Sequence, residues 1–278
     1  LHRLFSQFQG KMNGFTKGRD RSFHFGAQDY NIVGMISHLG PQLGVADGIA
    51  LANKLKDNKQ VTAVFSGEGG TSEGDFHEAL NVAAVWDLPV IFVVENNGYG
   101  LSTPINEQFR CENIADKGKG FGMESYSIDG NNILEVYRTI SQLKKDMQAN
   151  PKPVLLECMT FRMRGHEEAS GTKYVPQEKF DEWAPKDPVS NFEAYLLKEK
   201  VLTEDYIAST KADIKADINQ ALETAFAEEE ISSSIEQELE DVFVSYDLQP
   251  QAPQSDAVSN IRLVDAISDG LKQSMQRF

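Results

Sequence analysis

Three short apolar runs dominate the first 161 residues of this chain and restrict what it can fold into. They cover 61–65, 90–94 and 154–161, and helical patterns separate them. None alternates apolar with polar, as a half-buried strand would. Continuous apolar strands between helices predict a parallel sheet covered on both faces. A helix is expected over 40–56. Another should start at Ser72, with Asp75 as its capping partner, and place Phe76, Leu80, Ala83 and Ala84 on one face. A third is expected over 133–147. The fold class is therefore α/β.

Past Arg162 the character changes. Residues 162–175 are polar and glycine-containing and read as a mobile loop. Two helical segments follow. The longer begins near Thr203 and aligns Ile207, Ile214, Ile218, Leu222 and Phe226 on one stripe. Residues 249–260 are rich in Pro, Gln, Ser and Ala, the composition of a linker. Residues 261–278 are amphipathic again, with Leu263, Val264, Ile267, Leu271 and Met275 aligned.

The formal net charge is −15, the wrong sign for a surface that tracks nucleic-acid phosphates. The acidic clusters Glu228-Glu229-Glu230 and 236–241 read as solvated helix faces. The longest purely apolar run, 88–94, is far too short to span a bilayer. Cys111 and Cys158 make no CxxC and no metal spacing, which fits a reducing compartment. Bacterial cytoplasm is the expected location, with the mitochondrial matrix left open. The chain opens at Leu1, so its natural start is expected to lie upstream.

Two features coincide at strand ends. Gly67-Glu68-Gly69-Gly70 follows the first run and precedes a helix, and Asn96-Asn97 follows the second. Ligands of open parallel sheets bind beyond the carboxyl ends of the strands. Glycines let backbone N–H groups approach phosphate oxygens closely. Magnesium prefers a few hard protein oxygens plus substrate phosphate. The Glu68 carboxylate, the Asn97 amide oxygen and a carbonyl near Tyr99 meet that need. Taken alone, the glycine cluster could be only a tight turn. Its pairing with a double asparagine one helix and one strand later is more specific. No Gly-x-Gly-x-x-Gly opens a βα unit, which disfavours a Rossmann oxidoreductase.

The stretch Gly67-Glu68-Gly69-Gly70-Thr71-Ser72-Glu73-Gly74-Asp75, followed by Glu95-Asn96-Asn97-Gly98-Tyr99-Gly100-Leu101-Ser102-Thr103-Pro104, closely resembles the alpha subunit of thiamine-diphosphate-dependent 2-oxo acid dehydrogenases. The likeness is greatest to the branched-chain, 2-oxoisovalerate type and runs from about Gly18 to Val244. It implies a thiamin-diphosphate-binding fold with additional C-terminal helices. It also implies magnesium ligation by Glu68, Asn97 and the Tyr99 carbonyl, and diphosphate contacts from Gly67, Gly69 and Gly70. Many relatives carry Asp in place of Glu68; the carboxylate remains, one methylene longer.

The segment Ile36-Ser37-His38-Leu39-Gly40-Pro41-Gln42 resembles the family segment beneath the cofactor. There Ser37 and His38 would line the cofactor, with Ser37 at the aminopyrimidine and Leu39 supporting the bent cofactor; family members often have proline at the place of His38. His24 matches an active-site histidine, though a lone His between phenylalanines also suits a buried structural role. The segment Thr160-Phe161-Arg162-Met163-Arg164-Gly165-His166 resembles the catalytic loop. His166 would contact the diphosphate and the reacting centre, Arg162 would brace the loop, and Arg164 reads as solvated. Mitochondrial relatives carry a phosphorylatable serine directly after this histidine. Here Glu167 stands there, so kinase control at that place is not expected.

The resemblance implies oxidative decarboxylation of a branched-chain 2-oxo acid, with acyl transfer to a lipoylated acyltransferase. The activating glutamate would lie on a beta partner. Pyruvate or acetoin dehydrogenase is the alternative enzyme, and a cofactor-free module of the same fold is the non-enzyme alternative. Asn260-Ile261-Arg262-Leu263-Val264-Asp265-Ala266-Ile267-Ser268-Asp269-Gly270-Leu271 resembles the opening helix of the family's beta subunit. The expected organisation is therefore an alpha-type domain over 1–244, a linker over 245–260 and the start of a beta-type domain over 261–278. A fused alpha–beta chain is expected, truncated where the family's Tyr-Arg segment should precede Leu1. It would act as a dimer of fused chains or as an α2β2 assembly, with no nucleic-acid or membrane partner.

Overall fold

The computed structural model describes residues 1–20, 22–35, 37–244 and 258–277. They fall into two compact units, Leu1–Ile231 and Ser232–Phe278. The larger unit is built on four parallel strands: β1 (Thr62–Gly67), β2 (Val90–Asn96), β5 (Glu124–Asp129) and β6 (Val154–Met159), in the order β1-β2-β6-β5. Between β2 and β5 runs a two-stranded antiparallel hairpin, β3 (Tyr99–Gly100) with β4 (Thr103–Pro104). The larger unit's α-helices are α1 (His2–Phe8), α2 (Pro41–Leu55), α3 (Gly74–Val85), α4 (Ala115–Lys119), α5 (Ile133–Ala149), α6 (Gln177–Trp183), α7 (Pro188–Lys198) and α8 (Glu204–Phe226).

The parallel α/β arrangement expected from the apolar runs is present, and strand pleating explains why. Successive side chains point to opposite faces. Phe92, Val94 and Leu155 therefore face α2 and α3, packing on Leu43, Phe76 and Leu80. Ile91, Val93 and Leu156 face the other way, onto Leu143 and Met147 of α5. All of these side chains are buried. The edge strand β1 departs from the expectation, because Phe65 is 59% exposed on its second face.

Three local expectations need correction. Ser72 does not start a helix. It closes a 3-10 turn, Glu68–Ser72, in which the Thr71 hydroxyl donates to the Glu68 carbonyl at 2.7 Å. Helix α3 begins at Gly74, and Asp75 makes no capping bond. Strand β5 joins the three expected strands, although its alternating sequence ESYSID contains no apolar run. The α8 stripe is only partly covered: Ile207 is buried, whereas Ile214, Ile218 and Phe226 are exposed.

The smaller unit contains α9 (Ile235–Val242), capped by Ser234 accepting from Gln237 N–H at 3.2 Å, and α10 (Leu263–Arg277). The aligned residues Leu263, Val264, Ile267, Leu271 and Met275 are exposed. Most of the expected linker, 245–257, lies outside the described residues. No helix among the described residues is long and apolar enough to cross a membrane.

Candidate active site

Strands β1 and β2 end side by side, with Gly67 opposite Glu95. That register delivers Glu68 and Asn97 to the same place. Glu68 is 1% exposed, and its Oε2 accepts the Asn97 backbone N–H at 3.0 Å. The Asn97 amide oxygen is buried and has no hydrogen-bond partner among the described residues. A buried, unpartnered oxygen is costly unless something else coordinates it. Tyr99 stands opposite Pro104 in the hairpin. Next to this pair, the Gly98 carbonyl accepts the Ile105 N–H at 3.2 Å, which fixes the hairpin at the end of β2.

The glycines divide into two kinds. A Cβ on Gly67 or Gly98 would meet nothing within 4 Å, which leaves open space at both strand ends. A Cβ on Gly69 would sit 3.1 Å from the Gly100 Cα, so the two loops that follow β1 and β2 approach closely there. Gly98 has φ +85°, a conformation that L side chains rarely adopt. Among the described residues no group of three His, Cys, Asp or Glu side chains could hold a metal. The candidate donors are instead the Glu68 carboxylate, the Asn97 amide oxygen and the backbone carbonyl expected at Tyr99, all hard oxygens. That set suits magnesium bound partly through phosphate, and the open glycine space suits the phosphate.

Arg162 knits the far side of the site. Its guanidinium donates to the Leu101 carbonyl at 2.9 Å and to the Tyr174 hydroxyl at 3.1 Å, and it lies 3.3 Å from His166 Nδ1. The Tyr174 ring packs against Tyr99 at 5.7 Å. His166, which is exposed, is thus linked through Arg162 to the hairpin that carries Tyr99. Arg164 and Glu167 are exposed.

Upstream, the His24 ring and the Ser37 hydroxyl are in hydrogen-bond contact. His38 and Leu39 are exposed, Leu39 at 56%, so Leu39 is not a core residue. This loop enters α2, where the Gln42 amide donates to the Phe65 carbonyl near the end of β1 at 3.3 Å. No hydrogen bond joins the His24–Ser37 pair to the Glu68–Asn97 pair among the described residues.

Sequence reasoning passed over the residues behind the site. Glu157, in the middle of β6, is fully buried. Its carboxylate accepts from Asn96 Nδ2 at 2.8 Å and from the N–H groups of Ile114 and Ala115 at 3.1 and 3.2 Å. Lys117 donates to Thr71. Burial pulls the Lys117 ammonium below its usual range. A charged residue inside an apolar strand was the available signal, because such groups persist only when paired. Next to Glu157, burial pushes the Cys158 thiol up to about 11, which makes it inert.

Comparison with known proteins gives a family and several relatives. Residues 1–234 match the family described as dehydrogenase E1 component. The chain is 36% identical over 250 residues to the alpha subunit of acetoin:2,6-dichlorophenolindophenol oxidoreductase from Bacillus subtilis, covering 89% of this chain and 73% of that one. It is 37% identical over 223 residues to the Bacillus subtilis 2-oxoisovalerate dehydrogenase subunit alpha, covering 77% and 67%. It is 34% identical over 228 residues to the mitochondrial 2-oxoisovalerate dehydrogenase subunit alpha 1 of Arabidopsis thaliana, covering 81% of this chain but 48% of that relative. It thus spans about half to three quarters of the lengths of these relatives. The chain belongs to the dehydrogenase E1 component family, as an alpha-type chain of its thiamine-diphosphate-dependent 2-oxo acid dehydrogenases.

Proposed function

We propose that this chain supplies the magnesium–diphosphate side of an enzyme that oxidatively decarboxylates branched-chain 2-oxo acids, 2-oxoisovalerate foremost. The observation that carries the reading is the tied pair Glu68–Asn97, with a buried unpartnered amide oxygen beside open glycine space. Glu68, Asn97 and the Tyr99 carbonyl would hold magnesium. Gly67, Gly69 and Gly70 would present backbone N–H groups to the diphosphate. When bound, thiamine diphosphate supplies a carbanion for attack on the keto carbon and an electron sink for loss of carbon dioxide. Arg162 fixes the loop that bears His166, whose ring is then available to the diphosphate and the substrate carboxylate. Ser37, His38, Leu39 and His24 would line the cofactor's far end. The acyl group would leave to a lipoylated acyltransferase.

A beta-type partner completes the site. The resemblance of 260–271 to a beta-type opening helix, and the exposed apolar face of α10, support a beta-type domain that continues in the same chain. An open reading frame that stops directly after Phe278 would overturn this fusion. Two free thiols, Cys111 and Cys158, fit a reducing cytoplasm.

The acetoin relative covers more of this chain than the 2-oxoisovalerate relatives do, at similar identity, so acetoin is the second reading. The test is steady-state turnover of the assembled enzyme on 2-oxoisovalerate, pyruvate and acetoin. A kcat/KM highest for 2-oxoisovalerate supports the proposal, and one highest for acetoin or pyruvate overturns it. Calorimetric titration of the same enzyme with magnesium and thiamine diphosphate separates either enzyme from a cofactor-free module.

A further inference from the structure

We propose that a single turn of chain, from Ile114 into α4, is the bracket that holds the two ligand loops in register, with Glu157 and Lys117 as its positioning residues. The inference rests on the magnesium–diphosphate reading above and concerns groups that touch neither ligand.

One arm of the bracket runs through Glu157. This carboxylate lies in a strand whose neighbours Leu155 and Leu156 are also fully buried. An ion there must be satisfied by donors. It has three, and two are the backbone N–H groups of Ile114 and Ala115. The third is Asn96 Nδ2 at 2.8 Å. That bond fixes the orientation of the Asn96 amide and turns its oxygen onto the Gly98 N–H at 3.1 Å. Asn97 is therefore pinned from both sides in the chain, while its own N–H is held by Glu68.

The other arm runs through Lys117, three residues beyond Ile114. Its ammonium donates to the Thr71 carbonyl at 2.8 Å and to the Thr71 hydroxyl at 2.9 Å. It also lies 4.8 Å from the Phe109 ring centroid, a cation–π distance. Thr71 is fully buried and passes the constraint on, since its hydroxyl donates to the Glu68 carbonyl at 2.7 Å. One turn thus grips the loop of Glu68 through Lys117 and the loop of Asn97 through Glu157. Partners of this kind orient metal ligands without touching the ion.

The chemistry of the Glu157–Asn96 pair provides a rescue test. Glu157→Gln alone sets an amide N–H against a donor, and Asn96→Asp alone sets two carboxylates together. Combining the two reverses the polarity of the bond. The amide introduced at 157 then donates to the carboxylate introduced at 96, whose other oxygen still accepts from Gly98. The oxygen of that amide keeps the Ala115 N–H, and only the bond to Ile114 is given up. The measurement is a magnesium titration of the assembled enzyme at saturating thiamine diphosphate, with hydrogen exchange recorded without metal. Each single variant, and Lys117→Met, should raise the magnesium midpoint by about tenfold or more. The double variant should recover a large part of that loss. Lys117→Met should speed exchange across 68–72 and leave 96–101 closer to the parent.

Singles with an unchanged midpoint, or a double variant no better than the singles, would overturn the bracket while leaving the site intact. Lys117→Met keeps the apolar stem, so it carries the test if the Glu157 variants fold poorly. A parent enzyme with no magnesium-dependent binding would instead overturn the site reading, and the bracket with it.

Discussion

The Glu68 carboxylate accepts the backbone N–H of Asn97 at 3.0 Å, so two residues 29 apart in sequence and on different strand ends are joined directly. On the proposed function Glu68 would have two duties, one oxygen holding the neighbouring loop and the carboxylate serving as a magnesium ligand.

Removing either ligand should expose that coupling. Asn97→Ala deletes the buried amide oxygen but leaves the backbone N–H in place. Glu68→Ala deletes both the ligand and the tie. Magnesium-dependent thiamine diphosphate affinity should fall about 10–100-fold for Asn97→Ala, and further for Glu68→Ala. Calorimetry on the assembled enzyme measures both, and unchanged affinity in Asn97→Ala would remove it from the ligand set.

Arg162 should not tolerate lysine. Its planar fork reaches the Leu101 carbonyl, the Tyr174 hydroxyl and His166 together, and a single ammonium cannot reproduce three directions. Arg162→Lys should lower kcat by about tenfold or more, the scale expected when a reacting group is displaced. The thermal midpoint should move little, because the group lies at the surface of the site. A variant with parental kcat would show that His166 needs no bracing.

The segment 162–175 should gain order when the diphosphate arrives. Its regular structure is limited to the short turn Glu168–Ser170, and among the described residues the His166 ring has one hydrogen-bond contact, to Arg162 at 3.3 Å. New contacts between a loop and phosphate are a common source of ordering. Amide exchange across 162–175 should slow on addition of magnesium and thiamine diphosphate to the assembled enzyme. Equal protection in both states would argue against a cofactor-facing loop.

Asp47 should give the chain an acid-side stability advantage. It is 5% exposed on α2, its Oδ1 has no partner among the described residues, and burial raises its carboxyl from 3.8 to about 7. The folded state thus holds a proton that the unfolded state releases. Its contribution is fully present below about pH 4 and is lost as pH rises towards 7. Asp47→Asn should flatten this slope, raising the thermal midpoint at about pH 8 and changing it little at about pH 4. Thermal unfolding of both proteins across that range checks it, and parallel curves would refute it.

The parallel sheet and the Glu68–Asn97 pair were legible in the sequence for one reason. Both are written in contiguous runs, where apolar strands end abruptly in glycine or asparagine. What was not legible depends on distant partners. Strand β5 alternates polar and apolar residues and is a strand because β6 lies beside it. Glu157 looks like an intruder in an apolar run until Ile114, 43 residues away, and Asn96, 61 away, supply its donors. Tyr174 gains its role only when the loop folds back onto Tyr99. The misplaced start of α3 is different in kind. The signal at Ser72 is real, but the Thr71–Glu68 hydrogen bond tightens those residues into a 3-10 turn first.

The strand order also sets a timetable for synthesis. Strand β2 lies between β1 and β6, and Ile91 pairs with Val154, 63 residues later. At roughly 5–20 residues per second, the ribosome leaves β2 waiting about 3–13 s for its second neighbour. During that interval the edge of β2 is bare, and Asn96 lacks the carboxylate that orients it. The nascent chain can complete the β1–β2 pair early, but the asparagine loop reaches its final geometry only after Glu157 has emerged.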